Sequence, residues 1–276
     1  MWGSAKKGVF EKMDMDWIKI CREGIRKAAD EVMKLYHSPD KRGKEITRGK
    51  GGDMTLLADK ASEDIVIGRL RDLRRDIRII SEECGEITIG KRPQNTILLD
   101  PLDGSFNFKN GFPYFGISMA VLDQEDRPVA GYILDLPQGE EYYANAEGAF
   151  RSDKKIRSSR VGNADRVLLE LTKGISSEDL EIISRTLLKM RHTRCPGAVA
   201  LDLCRVADGT FDCLLYAGAS RYLDVAAGIY ILEKAGGLVS NFSGSRNIRQ
   251  GIELKSRNLL AAGNRDIQTQ VLTFSP

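Results

Sequence analysis

The chain has 276 residues, 42% hydrophobic and 29% charged, with only 8 Pro. That mixture excludes collagen-like, disulfide-framework and wholly disordered chains and leaves room for one large domain or two fused halves. The 42 Lys and Arg exceed the 39 Asp and Glu by three, too small an excess to mark a nucleic-acid binder, so acidic or phosphorylated small molecules stay open as partners.

At the N-terminus Lys6 and Lys7 are followed only by Val9 and Phe10 before Glu11 and Lys12, which gives no secretory apolar region. The longest apolar stretches, such as 115–122, fall far short of the roughly 20 residues of a bilayer span. A cytoplasmic protein without membrane contact is expected. From Trp17 to Tyr36, Ile18, Cys21, Ile25, Ala29, Val32 and Met33 recur at helical spacing, which predicts an amphipathic helix. Beyond Ser38-Pro39, the bases Lys41, Arg42, Lys44, Arg48 and Lys50 among glycines predict a mobile basic loop.

A second helix is predicted over about 59–75, apolar at Ile65, Ile67 and Leu70. Segments 77–81 and 96–99 read as short buried strands, followed at once by Glu82-Glu83 and by Asp100. Then 114–122, 128–134 and 141–144 read as antiparallel strands, with a turn at 123–127 and a further strand over 148–156. From 167 the pattern alternates: strand 167–171, helix 177–190, helix 198–207, strand 211–215, helix 224–235 and strand 259–262. That alternation predicts an α/β second half, 156–276, behind an α+β first half, 1–155.

Five cysteines without a C-x-x-C pair fit reduced, mostly buried thiols. His37 and His192 are the only histidines, so an imidazole-built zinc or iron site is not expected; any metal must be a hard ion such as Mg²⁺ or Mn²⁺ held by carboxylates and carbonyls. Attention therefore falls on Asp100-Pro-Leu-Asp103-Gly104-Ser105, where an apolar strand delivers two acids into a turn. Two carboxylates buried this close are costly unless a cation neutralises them. Gly104-Ser105 reads as a helix start whose free amides suit a phosphate. On its own the segment is also compatible with a capped loop.

Four blocks in order give this segment its context: 52–59 (GDMTLLAD), 80–83 (ISEE), 99–108 (LDPLDGSFNF) and 223–228 (LDVAAG) with 233–237 (EKAGG) after it. Together they resemble the inositol monophosphatase family of lithium-sensitive, Mg²⁺-dependent phosphatases. Segments 197–204 and 221–224 resemble its archaeal branch, whose members often hydrolyse both inositol-1-phosphate and fructose-1,6-bisphosphate. The resemblance implies an α/β fold, the layered αβαβα sandwich of the sugar phosphatases, and a homodimer.

It further implies two to three Mg²⁺ (or Mn²⁺) ions on Glu82, Asp100, the Leu102 carbonyl, Asp103 and Asp224. Asp59 and Ser105 would orient the attacking water, with Glu82 at the catalytic centre. The Gly104 and Ser105 amides would hold phosphate oxygens, and Asp103, Arg194, Gly197, Ala198, Arg221 and Asp224 would line the substrate. Separately, an Arg three positions before a metal ligand, as Arg221 is, is well placed to grip a second phosphate through its planar fork; for Arg221 and Arg194 alike a surface position is the alternative. Family members usually carry Thr at the position of Ser105 and many carry Trp at that of Leu223. Two alternatives are a 3′-phosphoadenosine-5′-phosphate phosphatase and a regulatory module of the same fold acting on the transcription machinery. No basic stripe with interleaved aromatics supports RNA binding.

Overall fold

The structure, a computed structural model, describes residues 16–48 and 54–274. Helix α1 (Trp17–Tyr36) has its predicted bounds. Asp16 caps it by accepting from the Lys19 amide at 3.0 Å, and Ile18, Cys21, Ile25, Ala28, Val32 and Leu35 fall on one buried face. The segment expected to be a basic loop forms a short helix α2 (Pro39–Arg42) and a strand β1 (Glu45–Arg48), which pairs antiparallel with β2 (Met54–Leu56). Backbone pairing there overrides side-chain charge, and Lys109 Nζ holds Glu45 at 2.6 Å. Lys50 lies outside the described residues. Helix α3 (Leu57–Asp72) packs Val66, Ile67 and Leu70 beneath α1.

The next strands form one mixed sheet: β3 (Ile77–Ser81), β4 (Gly85–Ile89), β5 (Asn95–Asp103), β6 (Gly116–Leu122), β7 (Pro128–Asp135), β8 (Glu140–Asn145), β9 (Gly148–Arg151) and β10 (Lys154–Lys155). Their spatial order is β10-β9-β8-β7-β6-β5-β3-β4, antiparallel except for the β3–β5 pair. The single strand expected over 148–156 is broken at Ser152 and Asp153, whose positive φ (44° and 66°) turns it into the β9–β10 hairpin. Helix α4 (Ser105–Asn110) leaves the end of β5.

The second half adds β11 (Arg166–Leu171), α5 (Ser177–Leu187), β12 (His192–Arg194), α6 (Val199–Ala207), β13 (Cys213–Ala217), α7 (Tyr222–Ala235), β14 (Leu238–Ser240), β15 (Arg249–Gln250), β16 (Glu253–Leu254), β17 (Asn258–Ala262) and α8 (Arg265–Leu272). Its main sheet runs β12-β11-β13-β17-β14, and β15 pairs with β16.

Alternation on the large sheet builds the layers. Ile97, Leu99, Ile117, Met119 and Val121 bury against α1 and α3, while Leu98, Ala120 and Leu122 join the core around α6 and α7. Covering both faces explains why these strands read as near-continuous apolar runs. The five-stranded sheet lies on the other side of α6 and α7, and its far face packs Val167, Leu169 and Leu215 with Ile183 of α5 and Ile267 and Val271 of α8. The result is the expected αβαβα sandwich. Among the described residues no helix is long and apolar enough to cross a membrane.

Candidate active site

The site begins with a defect in the large sheet. Residues three apart on a strand normally project from opposite faces. Here Asp100 pairs with Ser118 and Asp103 with Gly116, so three steps on β5 match two on β6. One extra residue makes a β-bulge, which turns Asp103 toward the side that Asp100 faces. Pro101 breaks the ladder at that point because it has no N–H to donate.

Asp100 is 4% exposed, and its Oδ1 accepts from the Leu102 amide at 3.0 Å. Glu82 reaches it from the turn after β3, and Asp224 from the first turn of α7. Ligating oxygens of the three lie within 4.8 Å of one another. Burial raises the Asp100 pKa well above the usual carboxylate range, and the neighbouring charges of Glu82, Asp103 and Asp224 push the same way. Burial also raises Glu82, with Arg221 pulling against it. A pocket of crowded carboxylates is what a hard divalent cation would relieve, and the all-oxygen donor set suits Mg²⁺ or Mn²⁺ better than a softer metal.

Asp103 stands apart from that trio. Its Oδ2 accepts from the amides of Ala200 (2.9 Å) and Leu201 (3.4 Å) in the first turn of α6, and its pKa is pushed up to about 8 by burial and by Glu170, against those amides. Its carboxylate thereby joins the bulge of the first half to a helix of the second.

Gly104 occupies the N-cap of α4, in the left-handed region at φ 84°. A Cβ there would meet the Tyr114 carbonyl at 3.0 Å and Ala198 Cβ at 3.1 Å, so glycine is required twice over. Ser105 Oγ is left to face the Leu102 carbonyl (2.8 Å) and Asp59 Oδ1 (3.3 Å). Asp59 sits in the first turn of α3, where its Oδ2 accepts from the Leu56 amide at 2.6 Å. Burial raises its pKa to about 8; the Leu56 amide opposes the shift, and Glu83 and Glu82 add to it. A hydroxyl, a buried acid and a carbonyl thus converge beside the three carboxylates.

The remaining expected residues divide. Ala198 is buried at the start of α6, and Gly197 precedes it at φ 84°. Arg194 is exposed on β12, donates to the neighbouring Thr193 carbonyl at 2.8 Å, and lines a cleft of about 510 Å³ with Tyr114, Cys195, Pro196 and Arg205. Arg221 does not reach outward. Its Nη2 donates to Glu82 Oε1 (2.5 Å) and Asp224 Oδ1 (2.8 Å), and its amide to Asp224 Oδ2 (2.9 Å), so Asp224 closes the start of α7. Burial pulls the guanidinium pKa down, and Asp224 and Glu82 more than offset it.

One contributor lay unread in the sequence. Asn107 Nδ2 donates to the carbonyls of Tyr114 (2.8 Å), Pro196 (2.8 Å) and Gly197 (3.1 Å), pinning the Gly197 turn onto α4. The only available signal was its place inside the LDPLDGSFNF block.

Comparison with known proteins agrees with this geometry. The model of the inositol monophosphatase family matches residues 14–274. A fructose-1,6-bisphosphatase/inositol-1-monophosphatase of Archaeoglobus fulgidus is 32% identical, over 94% of this chain and 98% of its own. The Nus factor SuhB of Pasteurella multocida is 31% identical, over 94% and 96%. Among solved structures, a Pyrococcus horikoshii protein with similarities to inositol-1 monophosphatase superposes with a TM-score of 0.77 at 29% identity, covering 94% of this chain and 98% of its own. With the family model spanning nearly the whole described chain and carboxylates of three of its motif blocks gathered in one pocket, the chain belongs to the inositol monophosphatase family.

Proposed function

We propose that the protein is a Mg²⁺-dependent phosphatase of small polyol or sugar phosphate monoesters, acting on inositol-1-phosphate, fructose-1,6-bisphosphate or both. The observation that carries this reading is the carboxylate trio Glu82, Asp100 and Asp224 beside the Ser105–Asp59 pair. Glu82, Asp100 and Asp224, with Asp103 and the Leu102 carbonyl, would hold the ions; Mn²⁺ would fit the same oxygens. When bound, Mg²⁺ lowers the pKa of water and offsets charge on the attacking and leaving oxygens.

The chain's own residues do the rest. Ser105 Oγ, held between the Leu102 carbonyl and Asp59, can accept a hydrogen bond from the attacking water and fix its direction. Asp59, a buried acid on that hydroxyl, can take up the water's proton without a histidine. The amides of Gly104 and Ser105 would hold phosphate oxygens. Asp103, Asp224, Gly197 and Ala198 would border the polyol. Arg194 lines the cleft it shares with Tyr114, Cys195 and Pro196 and would meet a second phosphate bidentately, whereas Arg221 is engaged with the acids. Cytoplasmic location and a homodimer complete the reading.

A panel of inositol-1-phosphate, fructose-1,6-bisphosphate and 3′-phosphoadenosine-5′-phosphate, assayed for phosphate release with Mg²⁺, tests it. Turnover of either of the first two supports it. Release from the adenosine bisphosphate alone, or from none, overturns it, and the latter would favour the regulatory role suggested by the Nus factor name of one relative.

A further inference from the structure

Glu63 lies on α3, 1% exposed, and belongs to none of the motif residues described above. Its Oε1 accepts from two donors, Ser81 Oγ at 2.5 Å and the Cys84 amide at 3.0 Å. These donors bracket the dipeptide Glu82-Glu83: Ser81 is the last residue of β3, and Cys84 immediately precedes β4. Among the described residues Glu63 Oε2 has no hydrogen-bond partner, and neither has the adjacent Ser62 Oγ.

A buried carboxylate with one oxygen unmatched is unfavourable for stability. The β3–β4 hairpin does not require it, because β3 and β4 already pair from Ile77–Ile89 to Ser81–Gly85. The turn does face a choice, however. Glu82 and Glu83 are adjacent, and their side chains go to different places: Glu83 accepts from Thr55 Oγ1 of β2, while Glu82 meets Arg221 beside Asp100 and Asp224. A small rotation of the 82–83 peptide segment would draw Glu82 away from the trio. Asp100 and Asp224 have less freedom, since one belongs to a central strand and the other to a helical turn.

We propose that Glu63 is a positioning residue for the divalent-cation site: by holding both flanks of the Glu82-Glu83 pair it keeps Glu82 in register with Asp100 and Asp224. The inference rests on reading that trio as the cation site. Partners that orient metal ligands typically matter by about 10–100-fold in metal affinity.

The test is calorimetric titration of the metal-free, full-length protein with Mg²⁺, alongside thermal melting. Glu63→Gln keeps an oxygen that can accept from both donors and should bind Mg²⁺ within about threefold of wild type. Glu63→Leu removes the acceptor at similar volume and should weaken Mg²⁺ about tenfold or more. In a Glu82→Gln background the same Leu substitution should add little further loss, because Glu63 acts through Glu82. Ser81→Ala, which removes one donor and leaves Glu63 in place, provides a milder variant and should weaken Mg²⁺ severalfold.

Unchanged Mg²⁺ affinity in Glu63→Leu, or in Ser81→Ala should the Leu variant not fold, overturns the proposal while leaving the cation site intact. A loss equally large with and without the Glu82 carboxylate also overturns it, since that pattern marks general destabilisation. Wild-type protein that binds no Mg²⁺ would instead overturn the cation reading and this inference with it.

Discussion

The Arg221 guanidinium donates to Glu82 Oε1 at 2.5 Å, a contact between residues 139 apart in sequence, and the same nitrogen reaches Asp224 Oδ1 at 2.8 Å. One cation of the chain therefore already offsets two of the three clustered acids. Removing it with Arg221→Ala leaves those acids to repel one another. The metal-free variant should melt several degrees below wild type, corresponding to about 1–2 kcal/mol at this partly exposed site. Saturating Mg²⁺ should raise its melting temperature more than it raises that of wild type, because the ion then supplies charge the guanidinium no longer does. Equal Mg²⁺-induced shifts would show that Arg221 and the ion do not act on the same carboxylates.

Ser105→Ala should lower kcat by about 10²-fold or more, and Asp59→Asn by at least as much, through loss of water orientation and proton acceptance. Neither residue is one of the three clustered carboxylates, so calorimetric Mg²⁺ affinity should change by less than about threefold in both. A large loss of Mg²⁺ binding in either variant would move that residue into the ligand set.

The parts of this site differ in how readable they were. Local chemistry was legible: a strand ending in D-x-x-D-G, an α1 face with helical spacing, acids after 77–81. The β-bulge between Asp100 and Asp103 was not, since it depends on the register against Ser118 and Gly116. Nor was the direction of Arg221, which is set by Glu82 across the two halves of the chain. Strands β4, β12 and β14 escaped notice because they are short edge strands without an apolar run, and α8 because its buried Ile267 and Val271 give only two anchors. Tertiary packing decides such elements, and packing is non-local.

The pH dependence of stability carries a definite sign. In the metal-free protein burial raises Asp59 to about 8 and Glu170 to about 7, each above its unfolded value of about 4. Between those limits the folded state holds protons that the unfolded state has released. Stability is then fully present at low pH and falls as pH rises, by up to about 1.4 kcal/mol per unit for each group. Denaturant unfolding of chelator-treated protein from pH 5 to 8 should show that decline, and saturating Mg²⁺ should reduce it. A flat or rising profile without metal would contradict the buried-acid account.

Arg194→Ala should raise KM for fructose-1,6-bisphosphate about tenfold, the scale of a charge-assisted hydrogen bond lost at an exposed site, while leaving inositol-1-phosphate turnover unchanged. Steady-state kinetics on both substrates separates the outcomes. Equal losses on the two would assign Arg194 to the fold of the Gly197 turn and not to a second phosphate.

The most direct test of the central claim is phosphate release as a function of free Mg²⁺, starting from chelator-treated protein, for wild type and Asp100→Asn. Hydrolysis of inositol-1-phosphate or fructose-1,6-bisphosphate should be absent without the ion, rise and saturate with it in wild type, and stay at least about 10³-fold lower in Asp100→Asn at every concentration, since that carboxylate is the most deeply buried of the trio. Undiminished release in chelator, or an Asp100→Asn enzyme that matches wild type, would contradict it.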